Sequence, residues 1–293
     1  MPVAFVMPCL NEEGLIEAAA GSLGFGKTEE CADEGVFLVL VDNGSTDGTL
    51  AAMDRIAANS PPGSVLLTAE SERGYVPPRR KGVARAAQLA EERGFDPRRL
   101  LILQADADTV YAPGYAGWMW RYLGDQEGVL LEGAVKRDAA FDDAYPSYRA
   151  LELQVDGSLG DPGVADEDEV IVDDKTCGYL LSDYQRWGGH FREYNCLGSE
   201  VFAETTRLLL RARLVHGATK VRVNPAQAIP SRRRILEDPL LQFATAGFPR
   251  EKSWLVRWRG RHPITRPLVD FNPADDDPDW AEVGDLDDLP EQA

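Results

Sequence analysis

Residues Leu100 to Thr109 read LLILQADADT, an apolar run that ends in two carboxylates, Asp106 and Asp108, one residue apart. As a strand the run alternates its side chains with period two, so both acids are expected on one side while Ala105 and Ala107 keep the neighbourhood narrow. Two acids at the end of a buried strand are costly, because desolvated like charges repel unless a cation or a donor-rich ligand compensates them. A site for a divalent metal and hydroxyls meets that constraint. A solvated turn running through Thr109 to Pro113 meets it too, and the stretch alone does not separate the two.

The chain before it repeats one pattern. Val3 to Met7 reads as a buried strand closed by Pro8, after which Asn11 can cap a helix with Glu12 and Glu13 at its positive end. Val36 to Val41 is a second strand, and the turn-rich string Asp42 to Gly48 leads into a helix around Thr49 to Ala58. Ser64 to Ala69 is a third strand, followed by Pro77 and Pro78 and a helix from Arg79 to Arg93. This alternation predicts an α/β fold with a mostly parallel central sheet and helices on both faces, which binds ligands beyond the carboxyl ends of its strands. Every polar string so far lies at such an end.

Downstream the alternation weakens. Pro113 to Leu123 reads as helix, Gly128 to Val135 as strand and Tyr145 to Val155 as helix. Cys177 to Trp187 and Ser199 to Leu214 read as further helices around the pair Gly188 and Gly189, and Lys220 to Val223 as a last short strand ending at Asn224 and Pro225.

The formal charge of -18 is local: Asp270 to Ala293 carries ten acids and Asp161 to Asp174 seven, neither with a Lys or Arg. Without them the chain is close to neutral, so both segments read as solvated loops or tails. Nucleic acid is disfavoured as a partner, since its binders need a basic face. The small clusters at Arg79, Arg80, Lys81 and Arg85, at Arg232 to Arg234, and at Arg257, Arg259 and Arg261 do not supply one. Cys9, Cys31, Cys177 and Cys196 lack CxxC spacing and read as reduced structural thiols. The N-terminus resembles neither a signal peptide nor a membrane span, so a soluble cytoplasmic protein is expected, with peripheral membrane association left open.

A crevice with Asp42 on one strand end and Asp106 with Asp108 on another can grip a nucleotide's base and ribose while Mg²⁺ or Mn²⁺ bridges its phosphates. Such an ion would stabilise a departing phosphate, which points to transfer of a group carried on a nucleotide. PCLNEE at 8–13, VDNGSTDGT at 41–49, ERGYVPPRRKG at 72–82 and LQADADT at 103–109 resemble, in order, the motifs of a family 2 glycosyltransferase with the Rossmann-like GT-A fold. The likeness is close over the first half and looser to about Arg234.

The resemblance implies a donor site at Pro8, Leu10, Asn11, Glu12, Asp42, Asn43, Arg79, Ala105 and Asp106. Asp42 would meet the base, Asp106 the ribose, Asp108 the metal and Arg79 the pyrophosphate. In the family's ARNxG pattern Arg79 and Gly82 are kept, and Arg80 replaces the asparagine. SDYQRWGGHF at 182–191 and LGSEVFAETTR at 197–207 resemble the segment ahead of the acceptor site and the following GED helix start. There Ser199 stands for the family's Glu and Glu200 for the Asp taken as catalytic base, with Glu204 as a fallback. Some relatives add a late histidine ligand, but NPAQAIPSRRR at 224–234 carries none. His216 reads as a helix-end residue, and Trp118, Trp120 and Trp187 as core.

Together these imply a metal-dependent, inverting hexosyltransferase of polysaccharide or glycoconjugate biosynthesis that uses a UDP-, GDP- or dTDP-sugar and an unknown acceptor. A non-catalytic nucleotide-sugar binder on a decayed transferase domain, and a sugar nucleotidyltransferase, are the alternatives. The expected organisation is a transferase domain at 1–235, split into a nucleotide-sugar half at 1–112 and an acceptor half at 113–235. A helical extension at 236–269 and a disordered acidic tail at 270–293 would follow.

Overall fold

A computed structural model describes residues 2–27, 35–146, 149, 171–194, 200 and 203–237. Its described residues form two units, one of the chain up to Lys136 and again up to Pro230, the other beginning at Arg137 and at Ser231. The first unit holds an eight-stranded sheet. Its strands are β1 (Val3–Cys9), β2 (Val36–Asp42), β3 (Val65–Ala69), β4 (Leu101–Gln104), β5 (Thr109–Tyr111), β6 (Val129–Val135), β7 (Cys177–Leu180) and β8 (Thr219–Pro230). They lie in the order β3-β2-β1-β4-β7-β6-β8-β5.

The pairs β1–β2, β1–β4, β2–β3 and β6–β8 are parallel, and β4–β7, β6–β7 and β5–β8 are antiparallel, so the sheet is mixed but mostly parallel. Helices cover both faces, as the alternation predicts. Phe5, Met7, Leu38, Leu40, Leu101 and Leu103 face α1 (Ile16–Ser22), α2 (Thr49–Ala58) and α4 (Tyr115–Leu123). Their neighbours Val6, Val39, Val41 and Ile102 face α3 (Val76–Arg93), α6 (Leu181–Arg186) and α7 (Glu204–His216). Apolar residues on both sides of each strand suit a sheet buried on both faces, and each large side chain so buried contributes about 1.5–3 kcal/mol. The second unit contains α5 (Ala139–Ala144) and α8 (Arg233–Glu237), and within it Arg232 lies 5.4 Å from the centroid of the Phe141 ring. No helix among the described residues is long and apolar enough to cross a membrane.

Several boundaries differ from the sequence reading. α1 begins only at Ile16, with Leu15 before it, and Asn11 does not cap it: Asn11 takes φ 57°, a left-handed turn conformation. α3 starts three residues earlier than expected, with both prolines inside its first turn. Cys177 to Leu180 is not helix but strand, inserted antiparallel between β4 and β6, and only Leu181–Arg186 is helical. The last strand does not stop at Asn224. A register shift opposite Gly133 and Ala134 absorbs residues 224–226 and lets β8 continue to Pro230. The helix expected over 199–214 spans Glu204–His216. Tyr145 to Val155 and the segments 238–269 and 270–293 lie wholly or mostly outside the described residues, as do Cys31, Cys196 and His262.

Gly82, in the middle of α3, is where that helix meets the sheet. A Cβ there would overlap Val6 Cγ1 and lie 3.0 Å from Val41 Cγ2. Val6 and Val41 are fully buried and β-branched, so neither can turn away. Gly82→Ala gains about 1 kcal/mol of helix propensity but overpacks this contact at a cost of about 1–3 kcal/mol. Chemical denaturation is expected to show a net loss of stability, and a larger one for Gly82→Val.

Candidate active site

The parallel strands β1, β2, β3 and β4 end along one edge of the sheet, and the loops that follow them are bonded to one another. The Asn11 N–H donates to Ser45 Oγ at 3.1 Å, and Asn11 Oδ1 accepts from the Thr46 N–H at 2.8 Å. The Glu12 N–H donates to Thr49 Oγ1 at 2.7 Å, while Glu13 accepts from the Gly48 N–H at 3.0 Å. Asp42, buried at the end of β2, accepts from the amides of Gly44 and Ser45, both at 3.0 Å. Such an Asx turn fixes the loop. Asn43 donates to the carbonyls of Glu70 and Glu72 at 2.9 and 2.8 Å, tying in the loop after β3. Among the residues expected at the donor site, Glu12, Asn43 and Ala105 are buried, Pro8 is half-buried, and Leu10 and Asn11 are exposed.

β4 ends at Gln104, so Asp106 and Asp108 are not on a strand and period-two alternation does not align them. They lie in a turn closed by the Thr109 N–H to the Asp106 carbonyl at 3.3 Å. Tyr111 Oη fixes the turn: it accepts from the Asp106 N–H at 3.0 Å and donates to the Lys175 carbonyl at 2.9 Å. Asp108 is half-buried and accepts from the Thr109 hydroxyl at 3.2 Å.

Arg79 is neither on the surface nor loose in a cleft. It is buried on α3 and divides its guanidinium among three side chains. Nε donates to Glu204 at the start of α7 at 2.8 Å, Nη1 to Gln104 at the end of β4 at 3.1 Å, and Nη2 to Asp106 at 3.0 Å. Burial works against its charge, but Asp106, Glu204 and Asp174 outweigh it and hold the pKa well above the ordinary arginine value.

Glu204, the fallback base, is thus buried against a cation. Glu200 is not at the start of its own helix either. Its two oxygens accept from the amides of Tyr75 and Val76 at the start of α3, both at 3.2 Å, and Arg192 Nη2 lies 3.3 Å away.

Asp174 was read from sequence as part of a solvated acidic segment, but it accepts from the Thr205 N–H at 3.0 Å, beside Arg79 and Glu204. Desolvation first, then the Glu204 charge, push its pKa from 3.8 to about 7, against the pull of Arg79 and the Thr205 bond. Nothing in a run of seven acids marks Asp174 as different. Gln104 could have been found, as a polar residue ending an apolar run.

His190 is buried between Tyr184 and Thr205 at 3.1 Å from each, and burial pulls its pKa well below the ordinary value, so it is neutral. His216 is exposed in the last turn of α7. Trp187 is core, Trp120 is half-buried against the core on the other face of the sheet, and Trp118 is exposed. Cys9 and Cys177 are buried free thiols, and burial raises both pKa values. No group of three or more His, Cys, Asp or Glu among the described residues is arranged to hold a metal. The oxygen donors near the end of β4 are the carboxylates of Asp106 and Asp108, hard ligands of the kind Mg²⁺ and Mn²⁺ take when phosphate oxygens complete the shell.

Because the folded state holds the Asp174 proton more tightly than the unfolded chain, stability from this group is lost as pH rises from the ordinary value of 3.8 to about 7. Asp174→Asn removes that dependence. Melting curves should therefore show Asp174→Asn gaining on the wild type between pH 5 and pH 8, and a constant difference would refute the shift.

Comparison with known proteins bears on this edge. No curated protein sequence matches the chain. Among solved structures, a mannosyltransferase from Pyrobaculum calidifontis in complex with GDP-Man and Mn²⁺ is similar at 18% identity and TM-score 0.54, over 92% of this chain and 67% of that one. TarS 1-349 of S. aureus, in complex with UDP-GlcNAc, is similar at 15% identity and TM-score 0.50, over 79% and 59%. GalNAc-T7 with UDP, GalNAc and Mn²⁺ gives 9% identity and TM-score 0.50, over 78% and 44%. The match spans about three fifths of the TarS fragment, and at these identities the likeness is one of fold. The sequence profile of glycosyl transferase family 2 matches residues 4–164, more than half of the chain and including all four strand-end motifs, and the protein belongs to that family.

Proposed function

We propose that the protein transfers a sugar from a nucleotide-diphosphate donor to an acceptor hydroxyl with inversion, assisted by Mg²⁺ or Mn²⁺. The observation that carries this reading is the convergence of the loops bearing Asn11, Asp42, Asp106 and Asp108 on the carboxyl edge of β1, β2 and β4, where α/β sheets bind nucleotides. Asn11, Glu12 and Asp42 line the base side, Asp106 serves the ribose, and Asp108 with diphosphate oxygens holds the ion. A bound ion supplies Lewis-acid stabilisation of the leaving diphosphate.

Inverting transfer needs a base. Glu200 takes the acceptor proton as the acceptor oxygen bonds to the anomeric carbon and the bond to the diphosphate breaks. It sits beside the start of α3, near the loop that Asn43 anchors. The engagement of Glu200 by two amides and Arg192 favours one other reading, a nucleotide-sugar-binding protein without turnover in which this acid is purely structural. The chain's motifs and the oxygen ligands near β4 favour the enzyme.

A thermal-shift screen of UDP-, GDP- and dTDP-sugars with and without Mn²⁺ tests donor binding, since a ligand taken at a hundred times its Kd stabilises by about 2.7 kcal/mol. One nucleotide should raise the melting temperature, and more so with Mn²⁺; no shift with any of them refutes the proposal. Asp108→Ala should abolish the Mn²⁺-dependent part. Glu200→Gln should keep the donor shift and stop turnover, and full activity in that variant would remove Glu200 as the base.

A further inference from the structure

Resting on that reading of the donor site, we infer that Arg79 is a positioning residue that acts through Asp106 rather than by touching the diphosphate. Three of its donors are taken by protein side chains, at the start of α7, at the end of β4 and in the turn that follows β4. Gln104 is itself fixed, donating to Tyr179 Oη at 2.7 Å on the neighbouring strand β7. Glu204 is the first residue of α7, and its side chain is 4% exposed. The side chain of Arg79 is 9% exposed, whereas that of Asp106 keeps 34%. The cation is therefore enclosed and the carboxylate it holds is the member of the set that solvent, and hence a ligand, can reach.

This arrangement does two things. It takes one oxygen of Asp106 and holds it at 3.0 Å, so the carboxylate meets a ligand hydroxyl in one orientation without rotating first. It also makes that orientation depend on Glu204 and Gln104, which never reach the ligand. A buried cation that lost one of these acceptors would leave a polar group unsatisfied and pull the fork away from Asp106.

A thermodynamic cycle on nucleotide binding tests it, with the full chain, Mn²⁺, and UMP and UDP titrated calorimetrically; GDP and GMP replace them if the screen selects guanine. Arg79→Lys keeps the charge but not the fork. It and Asp106→Asn should each weaken binding about ten- to hundredfold, by the same factor for the monophosphate and the diphosphate. The double variant should be no weaker than Asp106→Asn alone. Glu204→Gln, which leaves an acceptor of the same shape but removes its charge, should give a smaller loss in the same ratio, and it carries the test if Arg79→Lys does not fold.

Losses confined to UDP, or losses that multiply in the double variant, would mean that Arg79 meets the diphosphate and would overturn the inference while leaving the donor site standing. Unchanged affinity in folded Arg79→Lys and Glu204→Gln would overturn it as well. A wild type that binds none of these nucleotides sinks both the reading and the inference.

Discussion

One buried cation organises the edge of the sheet. Arg79 is enclosed among Asp106, Glu204 and Asp174, an arrangement whose desolvation is repaid only if the geometry is good and the remaining polar atoms are satisfied. Both conditions hold: its bonds to Glu204, Gln104 and Asp106 are 3.1 Å or shorter, and the surplus negative charge is relieved by the raised pKa of Asp174. Replacing the set with apolar residues could give a core of equal stability, so stability does not explain it. Holding β4, α3 and α7 in one register at the place where Asp106 emerges does explain it.

The same economy governs the loops. Backbone amides at strand ends have no ladder partner, and here they are satisfied from neighbouring loops instead of from solvent. Asn11 adopts a left-handed conformation that directs both its amide and its side chain at the Ser45–Thr46 turn, which is why it is unavailable to cap α1. Asp42 and Asn43 spend their polar atoms on the loops after β2 and β3. These residues fix the main chain along this edge of the sheet, so its loops are arranged without a ligand.

The elements legible in the sequence were those with one unambiguous period. β1 and β2 are short apolar runs ended by Pro8 or by turn residues, and α2 is bounded by Gly48 and Asn59. CGYLLSDYQRW reads as one helix because a four-residue strand runs straight into a six-residue helix, with no Gly or Pro at the junction to divide them. β8 runs past Pro225 because the proline falls in a bulge, seated opposite Gly133, where a Cβ would lie 2.7 Å from the Ala226 carbonyl. The place of Asp42 at the end of β2 and of Asp106 just beyond β4 was legible, since each follows an apolar run. Asp174 was not: its pattern is that of a solvated run, and only packing against α7 distinguishes it from its neighbours.

The helix expected over 199–214 would place Glu200 in its first turn, but α7 begins four residues later, at Glu204. Glu200 instead complements α3, whose first amides it accepts across a sequence separation of 125 residues. Gly74 makes that approach feasible: it takes φ 144°, and a Cβ at that position would overlap the Glu200 carboxylate. The acid still stabilises a helix N-terminus, now one contributed by a distant part of the chain. The helix that carries Arg79 therefore has its first turn closed by Glu200, and its buried guanidinium is gripped by Glu204. The edge built from the first four strands is held in shape at two points by side chains that the first 112 residues do not contain.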